Sequence, residues 1–495
     1  MGISQKEPGQ GLRGSFGSAM SWNIAEMAVS QSIVLGVIIF LEWRLGLRVF
    51  GLFALSAVFI DLIYQQGRSA SVDTLMQGRD FSQRTLSSAF FAMLGMLLLT
   101  LPVLCVYGYY IADLNNEPVL KWMVPALALT LLPLPLGVPP TAKLNHALDF
   151  KGIAIRGILA AGLGGGAAIA VALGPYAEWA LVAQRGVAIL ASVGFLMLRA
   201  KWVPSIQFDS RLASGFLRDM WRIFFAQGLA ALVIPILYLV VGRYFGTAAV
   251  GALRIASKFA EMIYGAIAAP MGSLWVIFQT RQAMTAQEKR GLYVDLSKMA
   301  AMVCLPVFAG GALIAEDLVA LLLSDRAGGV ANLLIVFCVI GLAAPVFYFR
   351  NHAFTALGRL NELILFAIAD VSITAIAALA TAHFGAPVEA VAASLGLHFC
   401  VSIILFTPIL LREMETRLSR LIAAMTPAYI AVFAMAMAVM VATDISSDWP
   451  LVLSLFAKVG TGAVTYIVFL FGFHRHWFAS AIEMLRPKSP AGMVG

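Results

Sequence analysis

The sequence predicts an all-α polytopic membrane protein of about 14 transmembrane helices. Three observations carry that prediction. Of 495 residues, 61% are hydrophobic and only 12% charged, against roughly 45–50% and 25% in soluble domains. The mean hydropathy is +0.88. Apolar runs near the length that crosses a bilayer, about 20 residues, recur along the whole chain. This composition excludes a soluble enzyme, a disordered chain and a secreted disulfide scaffold.

In chain order the apolar runs place spans at 22–41, 49–66, 86–112, 119–142, 153–174 and 176–198. A second set follows at 222–242, 250–278, 299–315, 330–349, 360–382 and 388–411, and two more at 421–443 and 450–473. The expected organisation is an N-terminal segment 1–21, a six-helix lobe 22–198 and a linker 199–221. A second six-helix lobe follows at 222–411, then two additional helices within 421–473 and a tail 474–495. The longest polar stretch, Arg199 to Arg222, is too short for a catalytic domain.

The formal net charge is +8, from 34 Lys and Arg against 26 Asp and Glu. With the N-terminus inside, the eight inner segments carry 25 of those cations and the seven outer loops carry 5. That asymmetry is the signature of cytoplasmic loops. It places both termini in the cytoplasm, and it accounts for the basic balance without nucleic acid. The first 20 residues hold no apolar core, so no cleavable signal peptide is expected.

Two short motifs recur. Gly46-Leu-Arg-Val-Phe-Gly51 follows the first span, and Gly246-Thr-Ala-Ala-Val-Gly251 follows the seventh. Asn145-His146-Ala147 follows span four and Asn351-His352-Ala353 follows span ten; Lys151 and Arg359 come next. The near-equal offsets suggest two parallel six-helix halves related by a pseudo-two-fold axis along the membrane normal, as transporters commonly have.

No phosphate-binding GxxxxGK[ST], HExxH or GxSxG occurs. Cys105, Cys304, Cys338 and Cys400 each lie in an apolar run without a CxxC pair, so they read as small hydrophobes. His146 and His352 read as interfacial. No cofactor and no metal are expected.

Ionisable residues within spans are costly and are functional candidates by default. Arg254, Lys258 and Glu261 fall on one stripe of the eighth span. They form either an intrahelical Lys–Glu pair or the cationic lining of a cavity. Asp61 in the second span and Glu26 in the first are carboxylates that can meet those cations or couple an ion. Arg185 in the sixth span reads as a structural pair or as cavity lining. Arg68 sits on the cytoplasmic side or guards the inner mouth. Asp370 and Lys458 read as helix packing. Gly162-Leu-Gly-Gly-Gly166 allows close helix approach in span five, and prolines such as Pro133, Pro135, Pro139, Pro140, Pro235, Pro270 and Pro345 interrupt spans.

Leu148-Asp149-Phe150-Lys151-Gly-Ile-Ala-Ile-Arg156, a Gly/Ala-rich span, and then Trp179-Ala-Leu-Val-Ala-Gln184 stand in an order typical of one family. So do Leu45-Gly46 with Phe50-Gly51, and Phe245-Gly246 with Val250-Gly251-Ala252. On these residues the chain resembles the polysaccharide transporter family, the Wzx-type lipid-linked oligosaccharide flippases. These belong to the multidrug/oligosaccharidyl-lipid/polysaccharide (MOP) superfamily, with the MATE drug exporters and the lipid II flippase. The resemblance implies a V-shaped bundle of two six-helix lobes plus two extra helices. It implies alternating access that moves an undecaprenyl-pyrophosphate-linked repeat unit across the bacterial inner membrane, for exopolysaccharide, capsule or O-antigen. It matches Arg254 and Lys258 to helix-eight cations facing the cavity. In the lipid II flippase a helix-one cation also faces the cavity; the first span here has Glu26 and no arginine, so that part does not carry over, and Arg185 stands where glutamine is expected. Gln31, Gln227, Tyr238 and Tyr264 are chemically suited to hydrogen-bond sugars. A transporter is expected, not an enzyme, with lipid-linked oligosaccharide and membrane lipids as partners and a polymerase or export complex as further ones. The alternative is a MATE-like cation-coupled antiporter, which calls for an acidic cavity with Asp61 and Glu26 unpaired.

Overall fold

A computed structural model describes residues 8–78, 80–147, 149–280, 286–324, 327–347, 360–405, 407–413 and 417–473. The Asn351-His352-Ala353 motif, Arg359 and the tail 474–495 lie outside them. The described residues are helical throughout, with short turns between helices. Ten helices or helix runs are long and apolar enough to cross a bilayer, or eleven if one pair bent by 53° counts as one span. The chain divides into two compact units, Met1–Ile255 and Ala256–Gly495.

The first unit begins with α1 (Pro8–Leu45) and α2 (Leu47–Leu62). A single π turn, Ile63–Gly67, carries α2 without interruption into α3 (Arg68–Gly78). Then come α4 (Gln83–Asn115), α5 (Leu120–Leu129), α6 (Leu134–His146), α7 (Phe150–Ala172) and α8 (Ala180–Ala200). Span four is thus two helices, α5 and α6, that run on through a turn at 130–133, where Pro133 has no N–H to continue the ladder. Helix starts are set locally. Ser82, Asp149 and Asp209 accept from backbone N–H groups of the first turn of the helices they precede, donors that otherwise have no partner. The glycines of span five let α7 lie between α1 and α8. A Cβ on Gly165 would meet Val37, and one on Gly164 would meet the Gln184 carbonyl at 2.7 Å.

Residues 199–221, expected as a linker, contribute to the core of this unit. Trp202, Ala213, Phe216 and Met220 are buried with Leu75, Leu86, Phe90 and Val138. The segment is fastened to α4: the Ser87 hydroxyl receives Ser205 N–H at 3.0 Å, and the Ser88 hydroxyl receives Asp209 N–H at 3.0 Å. From Asp209 onward it forms α9 (Ser210–Gly228), an amphipathic helix, and after a short turn α10 (Val233–Phe245). These two make the bent pair, and Pro235 sits just past the break.

Helix α11 (Thr247–Thr280) starts in the first unit and continues past Pro270 without a break. Its start repeats that of α2. Gly46 (φ 71°, ψ −178°) and Gly246 (φ 83°, ψ 176°) adopt the same left-handed backbone geometry, open to glycine and strained for other residues. The second glycines touch each other's helix. A Cβ on Gly51 would fall 1.7 Å from the Thr247 carbonyl oxygen, and a Cβ on Gly251 would fall 1.9 Å from that of Leu47. Leu47 and Thr247 are equivalent in the two motifs, so the contact is reciprocal, with local two-fold character. The repeated glycines therefore have a physical cause: two helix backbones crossing in direct contact.

The second unit contains the rest of α11 and α12 (Ala286–Leu313), α13 (Ala315–Leu322), α14 (Gly328–Gly341), α15 (Ala344–Phe347), α16 (Leu360–His383), α17 (Val388–Leu405) and α18 (Thr407–Glu413). The two last helices, α19 (Leu418–Ile445) and α20 (Leu451–Phe473), pair with each other and lie on α12. Tyr429 and Tyr466 tie them down by donating to the Leu342 and Met302 carbonyls. Lys458, nearly buried, pairs with Asp317, so its charge is neutralised within this unit. Cys304 and Cys338 are buried as small hydrophobes, whereas Cys400 is exposed.

Candidate functional site

Asp61 lies 14 residues into α2, about 21 Å along it. Its carboxylate meets two guanidinium groups. Arg185, on α8, donates from Nη1 to Oδ1. Arg254, two turns into α11, donates from Nη2 to Oδ2 at 3.5 Å. The three side chains are 21%, 10% and 27% exposed. Aromatic faces complete the surroundings. Arg185 lies over the Tyr64 ring at 5.3 Å, and Arg254 lies over Phe53 at 5.8 Å and Tyr238 at 5.7 Å, within the range of cation–π attraction. Two guanidinium groups thus share one carboxylate. Arg185 Nε is buried and has no acceptor among the described residues.

Arg68 begins α3, about 10 Å further along the same helix run than Asp61. It interacts electrostatically with Arg156 on α7, which also feels Tyr64 and Glu26. Glu26 accepts from Ser30 at 3.3 Å and lies against Gly157, where a Cβ would fall 2.0 Å from its Oε1. The structure thus brings Asp61, Arg185 and Arg254 together, and Glu26 lies apart from them, against Ser30 and Gly157. Lys258 and Glu261, in the second unit, pair with each other at 3.0 Å. Gln31 Oε1 is buried without a hydrogen bond among the described residues. Tyr238 is buried and Tyr264 half-exposed; the side chain of Gln227 lies outside the described residues. Among the described residues no group of three or more His, Cys, Asp or Glu could hold a metal ion.

Arg156 is the residue that sequence reasoning missed. Arg156 lies only three residues into the expected span 153–174, and the charge count groups it with the cytoplasmic segment before that span. The helix starts at Phe150 because Asp149 caps it, and Arg156 is then nearly two turns inside. The capping aspartate three residues before Gly152 was the available signal.

A polar network lies at the Gly46 end of the same helices. Arg48 Nη2 donates to Glu117 at 2.6 Å and Nη1 to Glu178 at 3.3 Å. Thr247 Oγ1 donates to Glu117 at 3.0 Å. Burial alone would raise the Glu117 carboxyl, but hydrogen bonds from Arg48 and Thr247 outweigh it and hold the group below its ordinary range. A depressed folded-state pKa gives stability that is present above the ordinary carboxylate range and lost as pH falls through the folded value. Unfolding midpoints of the detergent-solubilised protein should therefore drop below about pH 4.5, and Glu117→Gln should flatten that drop while costing roughly 1 kcal/mol at neutral pH. An unchanged acid limb in the variant would show that the network carries no stability.

A family model described as polysaccharide biosynthesis protein matches residues 45–327, more than half of the chain. The chain belongs to that family. It is 24% identical over 280 residues to the succinoglycan biosynthesis transport protein ExoT of Rhizobium meliloti (strain 1021). That match spans 56% of this family member and 56% of ExoT, little more than half of either. The fold is that of the lipid II flippase MurJ in an inward closed conformation, with a TM-score of 0.69 at 12% identity, over 91% of this chain and 99% of that one. An inward-facing MATE family multidrug resistance transporter of the MOP superfamily gives 0.55 at 16% identity, over 80% and 94%. These findings agree with the resemblance read from the sequence: the chain belongs to the polysaccharide biosynthesis protein family and has the fold of MurJ and of MATE transporters, and the relatives named here are transporters and flippases.

Proposed function

We propose that this protein is a flippase for an undecaprenyl-pyrophosphate-linked oligosaccharide, moving a repeat unit across the bacterial inner membrane by alternating access for surface polysaccharide synthesis of the Wzx type. The observation that carries the reading is the Arg185–Asp61–Arg254 cluster, two partly buried guanidinium groups on one carboxylate inside apolar helices. A pyrophosphate entering hydrocarbon needs such a counter-charge, and guanidinium forks match its oxygens. The prenyl tail needs no site of its own, because lipid solvates it. Lys258 adds a cation one turn beyond Arg254 on α11. Fourteen spans in two six-helix lobes plus two helices, both termini in the cytoplasm, and a polymerase or export complex as partners complete the proposal. The MATE-like antiporter reading needs an open carboxylate, and Asp61 is held by two arginines.

Deleting the gene should make lipid-linked repeat units accumulate on the cytoplasmic leaflet and abolish surface polymer. Arg254→Gln should reproduce at least a tenfold loss of polymer while the protein still inserts. Normal polymer and no accumulated intermediate in the deletion strain would sink the reading.

A further inference from the structure

We propose that α9 holds an anionic phospholipid on the surface of the first unit, with the phosphate on Arg218 and Arg222 and one acyl chain against Trp221 and in an apolar cavity beside it. The proposal rests on the chain being a membrane protein and not on what it transports. On α9 the buried Ala213, Phe216 and Met220 share one face. At about 100° per residue, Arg211, Arg218 and Arg222 fall on a stripe of the opposite face, within roughly 40° of each other. Trp221 and Phe225 flank that stripe on one side and Asp219 on the other. The two flanks border different cavities. Trp221 lines a partly enclosed one of about 150 Å³ with Ile63, Met93, Met96, Leu97 and Phe224. Its one hydroxyl, that of Thr100, donates to the Met96 carbonyl at 2.9 Å, so the wall is apolar. Arg211 and Asp219 line the other, of about 370 Å³, with Thr74, Gln77 and Asp80. An apolar flank, a cationic stripe and a polar flank are what a helix at a bilayer interface presents. The bend of 53° between α9 and α10 turns α9 away from the direction of the span.

Cavity and cations together select the ligand. An apolar void of about 150 Å³ stays dry and takes a guest the size of benzene, which a short stretch of hydrocarbon chain matches. Trp221 lines the void and is also exposed, stacked on the exposed Phe225 at 5.2 Å. It therefore stands between void and surface. Next to it, Arg218 and Arg222 are two-thirds and three-quarters exposed, and both lean on Asp219, at 3.4 and 3.9 Å. Such long, exposed contacts hold little energy. A phosphodiester accepts from two guanidinium forks at once, and basic helix faces attract anionic lipid. A zwitterionic headgroup would bring a further cation to the stripe. Because the stripe lies on the outside of the unit, the abundant phospholipid of the leaflet reaches it directly.

The test uses the purified full chain in liposomes, with tryptophan quenching by lipids that carry brominated chains. Phosphatidylglycerol and phosphatidylcholine with the same chains are compared at equal mole fraction. Phosphatidylglycerol should quench more. That excess should fall by half or more in Trp221→Phe and disappear when Arg218→Gln and Arg222→Gln are combined. Arg218→Lys with Arg222→Lys should keep most of it, because the charge remains. Gly67→Leu, at the cavity wall where an added Cβ meets open space, should reduce it by filling the void. Melting curves of each variant separate a lost site from a lost fold. Equal quenching by the two lipids, or an excess unchanged in the double Gln variant, overturns the site. An excess unchanged in Gly67→Leu overturns the cavity as the seat of the chain. An excess abolished by equimolar farnesyl phosphate without bromine overturns phospholipid as the occupant in favour of a prenyl carrier. The transport reading is decided separately, by the leaflet analysis of the deletion strain.

Discussion

Asp61→Ala is expected to destabilise the protein by about 3 kcal/mol, the lower end of the range for breaking a buried ion pair, because Asp61 keeps a fifth of its surface exposed. The cost comes from what remains. Arg185 is only a tenth exposed and loses its counter-ion; Arg254 loses part of its own. Removing both members of the tighter pair should behave differently. Asp61→Ala with Arg185→Met should recover most of the lost stability, since no uncompensated Arg185 is left. Unfolding of the solubilised protein, followed by fluorescence, measures both. Equal stability of wild type and Asp61→Ala would mean that water, not Asp61, solvates the two arginines.

The second large effect belongs to the glycine crossing. Gly51→Ala places a methyl group 1.7 Å from the Thr247 carbonyl oxygen, and the neighbouring atoms are backbone. No side chain can swing away, so the helices must part. Overpacking costs typically 1–3 kcal/mol, and a backbone-to-backbone clash belongs at the upper end. Gly251→Ala should cost the same, because it breaks the same contact from the other side. The double variant should cost about as much as one single, since helices already parted have room for the second methyl. Gly36, with open space around its Cα, provides the control. If Gly51→Ala melts where Gly36→Ala does, α2 and α11 are not in contact in the working protein.

Much of this was legible in the sequence. Composition and run length gave the class, and the recurring Gly-x4-Gly motifs pointed to an internal repeat, though not to the crossing that their second glycines make. Asp61 was legible as a carboxylate in want of a cation. Its partners were less so, because Arg185 and Arg254 stand 124 and 193 residues away. Only packing decides which helices a charge faces. The 199–221 stretch reads as polar because α9 is amphipathic: its charges face outward, and Ala213, Phe216 and Met220 face the core. Hydropathy averaged over a window erases such a stripe. Arg156 was hidden because a cation one turn into a span reads as interfacial, whereas the helix that Asp149 caps starts three residues earlier and carries it deeper. Among the described residues, ten or eleven helices meet the length and apolarity of a span, fewer than the fourteen runs in the sequence; broken helices such as α13, α14 and α15 fall short of that length one by one.

The order of the charges along the chain has a consequence for how the protein is made. Asp61 enters the membrane first, and its first cation arrives 124 residues later with α8. At roughly 5–20 residues per second, the ribosome leaves that carboxylate waiting for about 6–25 s. Arg185 then neutralises it, so the half-built chain rests in the bilayer with a balanced pair. Arg254 comes 193 residues after Asp61, in the same helix that brings Gly251 to Gly51. The second guanidinium is thus added last, once a partner helix is ready to hold it.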